Sequence, residues 1–72
     1  MKATYDKEAD VMYIRVKKGK IHKTLKVSDM ILVDVDKKGQ ALGLELLFVS
    51  SQMPRKSINQ TMRTGIPVLA AV

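Results

Sequence analysis

The sequence predicts a small α+β domain that is mainly β: an antiparallel β-meander of about five strands followed by one short helix and a C-terminal strand or arm. Three observations predict it. Side chains sort onto two faces with a period of two through residues 11–16 and 42–48, and residues 30–36 form a run rich in β-branched side chains, the patterns of strands that bury at least one face. Turn-forming Asp, Lys and Gly residues separate these runs. Helical spacing begins only after Ser50. At 72 residues the chain has room for a single domain, and 46% hydrophobic with 28% charged residues is the composition of a folded chain rather than a disordered one. The absence of cysteine excludes disulfide scaffolds and thiolate metal sites, so packing or oligomerisation must supply the stability.

Taken in order, residues 1–5 read as a first strand and the Asp6-Lys7-Glu8-Ala9-Asp10 stretch as a turn, because Asp side chains bond to nearby backbone and compete with strand pairing. Met12, Ile14 and Val16 then share one face of a second strand, opposite Val11, Tyr13 and Arg15. Lys17-Lys18-Gly19-Lys20 reads as the next hairpin turn. The run from Ile21 to Val27 alternates less cleanly, with Lys23 sharing a face with Ile21, Leu25 and Val27, so its early part belongs at an edge. Residues 30–36 are rich in β-branched side chains and read as a central strand with Ile31, Val33 and Val35 on one face. Asp36-Lys37-Lys38-Gly39 makes a turn, and Leu42, Leu44, Leu46 and Phe48 follow on one face opposite Gly43, Glu45 and Leu47. Slipping that register by one residue would bury Glu45 and expose four large apolar groups at roughly 1.5–3 kcal/mol each, so the pattern specifies its own pairing.

Beyond Ser50 the signals change. Ser57-Ile58-Asn59-Gln60 fits a capping box, Ile58 and Met62 lie four apart on one helical side, and Gly65 with Pro67 ends the helix. Residues 66–72 carry no charged side chain, so this tail is expected to dock on the sheet or to join a partner chain. The helix alone is too small to cover the apolar face, which predicts a homo-oligomer, in the simplest case a dimer. Residues 1–5 lack the apolar core of a secretory leader and no run approaches about 18 apolar residues, so no membrane span is expected and the expected location is the cytoplasm.

Thirteen Lys/Arg against seven Asp/Glu give a net charge of +6, distributed unevenly. Arg15, Lys17, Lys18, Lys20, Lys23 and Lys26 occupy one stretch without an acid, and Arg55, Lys56 and Arg63 form a second group; the acids gather in 6–10 and around Asp29, Asp34 and Asp36. The six cations of the 15–26 hairpin are the candidate interaction residues. They suit a phosphate-bearing partner or an acidic protein, and equally serve solubility and edge protection. With three aromatic residues and no readable helix-turn-helix, nucleic-acid binding reduces to phosphate contact and is not favoured.

Asp34-x-Asp36-x-Lys38-Gly39 with Glu45 matches positions 1, 3, 6 and 12 of a calcium loop, but Lys38 places a cation where calcium requires oxygen and the flanks read as strands. Asp6, Glu8 and Asp10 offer paired carboxylates in one loop, for which turn capping is the simpler role. His22, the sole histidine, has no nucleophile and orienting acid arranged around it, and the four glycines are isolated, so neither a triad nor a phosphate loop is present. No catalytic set, metal site or cofactor site follows from these residues, and the chain is expected not to be an enzyme.

Tyr5-Asp6-x-Glu8-Ala9-Asp10-x-x-Tyr13-Ile14, then Val27-Ser28-Asp29, Val33-Asp34-x-Asp36-x-x-Gly39 and Gly43-x-Glu45-x-Leu47 together resemble the small bacterial and archaeal domain-of-unknown-function family numbered 2283, over residues 1–51. The resemblance implies a compact antiparallel meander and no established activity; some members resemble the antitoxin half of toxin–antitoxin pairs, which would make a small protein the partner. The chain departs from the pattern at Met30, where glycine is common, and from Gln52 to Val72, where many members stop early. These readings converge on a non-catalytic protein-interaction module that self-associates, with a nucleic-acid accessory protein using the 15–26 cations as the alternative.

Overall fold

Strands form where the period-two alternation runs, and they pair into one antiparallel sheet. In the computed structural model, which describes residues 2–65, these are β1 (Lys2–Asp6), β2 (Val11–Arg15), β3 (Lys23–Ser28), β4 (Ile31–Val35) and β5 (Ala41–Leu46), followed by α1 (Val49–Gln52) and α2 (Arg55–Thr64). The anticipated C-terminal strand or arm falls on residues 66–72, outside the described residues. The fold is the expected mainly β α+β arrangement.

The strand order is β1-β2-β5-β4-β3, so the sheet is a hairpin joined to a three-stranded meander rather than one continuous meander. β2 takes β5 as its second neighbour, with Met12 opposite Leu46 and Ile14 opposite Leu44. The Lys17–Lys20 stretch, read from sequence as a hairpin turn, is instead part of a connection over residues 16–22 that crosses the end of the sheet from β2 to β3, and the strand read from Ile21 begins at Lys23. The reason is apolar matching: β2 buries Met12 and Ile14, whereas every residue of β3 is exposed. β2, with its buried Met12 and Ile14, therefore pairs with the leucine-rich β5, and β3 is left at the edge. Three interstrand steps of about 4.8 Å separate β2 from β3, a distance that seven residues at up to about 3.3 Å each can span.

Register assigns the faces. Ala3, Met12, Ile14, Leu44, Leu46, Ile31, Val33 and Leu25 share the core face, while Thr4, Tyr13, Arg15, Gly43, Glu45, Leu32, Asp34, Thr24 and Lys26 share the other. Ala3, Met12, Ile14 and Leu46 form the core with Val49, Met53 and Ile58 from the helical segment. Because α2 packs along β1, that core lies over the β1-β2-β5 half of the sheet. The β3–β4 half is open: Leu25 is 42% exposed and Val27 63%. Leu42 is the extra residue of a bulge between β4 and β5. Its side chain is buried under the crossing connection, where Gly19 approaches so closely that an added Cβ would sit 2.7 Å from a Leu42 methyl.

Two local expectations are corrected. Phe48 does not extend the β5 face; it adopts a left-handed conformation (φ 50°) as the N-cap of α1 and is 59% exposed. Beyond the Met12–Leu46 pair, Asp10 and Ser50 draw the chain out of the sheet. The capping box at Ser57 is also unused. Helix α2 begins three residues earlier, with Pro54 in place of Ser57 as N-cap (φ −70°, ψ 162°) and its carbonyl accepting from the Ser57 and Ile58 amides. Its buried face is Ile58 and Thr61, while Met62 is left 40% exposed. Gly65 ends it as expected, with φ 76° and its N–H donating to the Thr61 carbonyl at 2.8 Å.

The two ends of the sheet differ in charge. At one end lie the turn holding Glu8 and Asp10, the β3–β4 turn with Asp29, and α1. At the other end meet the start of β1, the crossing connection and the β4–β5 turn, bringing together Lys2, Arg15, Lys17, Lys18, Lys20, Lys23, Lys37 and Lys38 with Asp36 as the nearest acid.

Candidate functional site

The acidic loop is built as a structural clasp. Asp6 Oδ1 accepts the amides of Glu8 and Ala9 at 3.1 Å, closing the β1–β2 turn. Asp10, left-handed at φ 58°, reaches across the sheet end: its carboxylate accepts the Tyr5 hydroxyl (2.7 Å), the Ser50 amide (3.0 Å) and the Ser50 hydroxyl (2.6 Å). Its carbonyl takes the Val49 amide at 3.0 Å. These bonds to the ionised form, Ser50 first and Tyr5 second, hold the Asp10 carboxyl below its usual range. The same contact raises the Tyr5 phenol, since the hydroxyl proton is held by the carboxylate. Glu8 stays exposed and outside the cluster. The three carboxylates of this loop thus do not converge, and the two aspartates are spent on backbone and hydroxyl donors.

A second network occupies the outer face. Tyr13 on β2 lies over Gly43 of β5 and donates to Asp34 Oδ2 on β4 at 3.1 Å, while Thr24 on β3 donates to Asp34 Oδ1 at 2.6 Å. Four strands are bridged by these side chains. Gly43 is required by the approach: a Cβ there would clash with the Tyr13 hydroxyl and ring. Burial, followed by the hydrogen bond to Asp34, raises the Tyr13 phenol. Asp34 is therefore bound to two hydroxyls on a flat sheet, and Asp36 sits in the following turn, where its Oδ1 accepts the amides of Lys38 and Gln40 at 2.9 Å. Glu45 projects from β5 opposite Tyr13 and Leu32. The calcium-loop positions are thus scattered over a hairpin, and among the described residues no group of His, Asp and Glu side chains is arranged to hold a metal ion.

The six candidate cations are not gathered into one patch. Arg15 lies on the outer face of β2; Lys23 and Lys26 point to opposite faces of β3, and Lys26 pairs with Asp29 at 3.3 Å at the acidic end. Lys17, Lys18 and Lys20 lie on the crossing connection, where Lys17 Nζ donates to Gln40 Oε1 of the β4–β5 turn. That contact joins the connection to a segment far away in sequence. A groove of about 550 Å³ results, lined by Lys20, Ile21, His22, Asp36, Lys37, Lys38 and Gln40. Sequence reasoning did not group Lys37 and Lys38 with Lys20 and His22, because residues 16–22 and 36–40 meet only once β2 and β3 are separated by two strands. A glycine inside an otherwise leucine-rich strand was the available signal for the Tyr13 network.

The family model described as Protein of unknown function (DUF2283) matches residues 2–50. The chain belongs to this family. The DUF2283 match spans all five strands and ends within α1, so the quoted Asp10, Tyr13, Asp34 and Gly43 positions all lie inside it. Helix α2 lies outside it. Among curated proteins and solved structures, none matches the chain. No described helix of this DUF2283 member is long and apolar enough to cross a membrane.

Proposed function

We propose that this protein is a non-catalytic association module that pairs with a second copy of itself through the open half of its core face. The observation that carries this reading is the half-covered sheet. Helix α2 lies along β1, and over the β3–β4 half Leu25 and Val27 are exposed with Met30 (38%) at the adjoining turn. At about 25 cal/mol per Å² of apolar surface removed from water, joining two such faces is a favourable way to cover them. An isologous pair presents the same patch from each copy, so one exposed face satisfies both. The acids, engaged in turns and in the two hydroxyl networks, support a structural rather than a catalytic role. An antitoxin-like role would place a small partner protein on the same face.

Light scattering over a concentration series tests this reading. The expected mass approaches twice 8.0 kDa at high micromolar concentration. Leu25→Glu, at a position 42% exposed on the edge strand, is expected to return the mass to that of one chain with an unchanged circular dichroism spectrum. A wild-type mass of a single chain at every concentration overturns the proposal.

A further inference from the structure

The groove at the basic end of the sheet has a construction that the association reading does not use. Both of its walls are fixed. The crossing connection is anchored at its start by the Val16 and Lys17 amides donating to the Leu42 carbonyl (2.9 and 3.2 Å) and at its finish by the His22 amide donating to the Val35 carbonyl (2.8 Å). The opposite wall is the β4–β5 turn, where Asp36 accepts the Lys38 and Gln40 amides and Gly39 takes φ 81°. The Lys17–Gln40 contact ties the walls together. The single acid among the described lining residues is thereby held by amides of its own turn, while Lys20, Lys37 and Lys38 are exposed around it and, among the described residues, none of the three has an acidic partner within ion-pair distance. Ile21, 51% exposed, gives the same groove an apolar surface.

From this geometry we infer that the groove between residues 20–22 and 36–40 binds a small phosphate monoester, the phosphate between Lys20, Lys37 and Lys38 and the organic body against Ile21. Three lysines supply the donors and the positive field that a phosphate dianion requires, and wall segments pinned by backbone hydrogen bonds lose little freedom on binding. An open groove of about 550 Å³ has room for a small organic ligand and not only for a bare ion. A nucleoside monophosphate satisfies both halves of this description, and inorganic phosphate only one.

The test is a titration of the isotope-labelled protein with adenosine monophosphate and, separately, with inorganic phosphate, followed by amide chemical shifts. Saturable shifts confined to residues 20–22 and 36–40, with the monophosphate binding more tightly than inorganic phosphate, are expected. Lys37→Glu should weaken binding by about tenfold, as reversal of one charge in the site implies, whereas Lys56→Glu on α2 should leave it unchanged. Non-saturating shifts spread over all lysines, or equal weakening by both variants, would overturn the site. So would tight binding of a single-stranded oligonucleotide whose shifts run on to Lys2 and Arg15 while the monophosphate gives none, since the groove would then be part of a polyanion track. The readout is independent of oligomeric state: Leu25→Glu should retain the titration whether or not the protein pairs.

Discussion

Gly43 carries a constraint that no neighbouring residue shares, because the Tyr13 side chain crosses directly above its α-carbon to reach Asp34. Gly43→Ala is expected to destabilise the protein by roughly 1–3 kcal/mol in urea denaturation, the usual penalty for overpacking. In a Tyr13→Ala background the same substitution should become stabilising by roughly 0.5–1 kcal/mol, because removing glycine from a strand lowers unfolded-state entropy. A cost that is equal in both backgrounds would show that the ring is not what reserves the position. Asp10 sets a pH dependence of known sign. Its folded pKa lies below the unfolded value near 3.8, so its contribution is present above that pH and is lost as pH falls through the folded value. Tyr5 works in the opposite sense: its raised pKa means that stability is present below the unfolded value of 10.0 and lost as pH rises through the folded one. Thermal melts of Asp10→Asn should lose the acid-limb dependence that wild type shows below about pH 4, and Tyr5→Phe should flatten the alkaline limb. The sequence announced that Asp6 and Asp10 serve turns, since short acids bond locally, but it contained no sign that Asp10 would reach Ser50, forty residues away.

At the scale of elements, alternation located β2 and β5, because a strand that buries one face must show a period of two, whereas β1, β3 and β4 were read from the neighbouring turns, an imperfect alternation and a β-branched run. Alternation does not report which strand lies beside which. The order β1-β2-β5-β4-β3 depends on how completely each strand is buried, and a single sequence shows this only indirectly, as the lysines of β3 against the leucines of β5. The same limit explains Phe48, where the alternation continues although the partner strand has ended. Helix α2 illustrates competing start signals: Pro54 and Ser57 both qualify, and the earlier one prevails because proline's fixed φ suits the N-cap it occupies. Since Met12 is fully buried between β1, β5 and the helical segment, Met12→Ala should cost about 2–5 kcal/mol in chemical denaturation. Gly65→Ala, at φ 76°, should cost roughly 1–2 kcal/mol and act on α2 alone. Hydrogen exchange would then rise in α2 before it rises in β2 and β5.

At the scale of the whole molecule, the sheet differs in charge between its ends and in coverage between the halves of one face. One end is acidic and internally bonded, the other basic and grooved, one half-face is covered by α2, and the other is open. Pairing through the open half-face should persist from low to moderate salt, because apolar burial responds little to screening, whereas ligand capture at the basic end should weaken over the same range. Sedimentation at two ionic strengths checks the first expectation and the amide titration the second. The crossing connection has a further consequence for how the chain assembles. Since residues 16–22 are the covalent link between the β1–β2 hairpin and the β3–β4–β5 meander, the hairpin docks as a two-stranded unit on the β5 edge of a meander whose own strands follow one another in sequence. A protease nick at Lys18 would leave two fragments able to dock along the Met12–Leu46 and Ile14–Leu44 pairs, converting a one-body melt into a dissociation whose midpoint rises with dilutions made less severe.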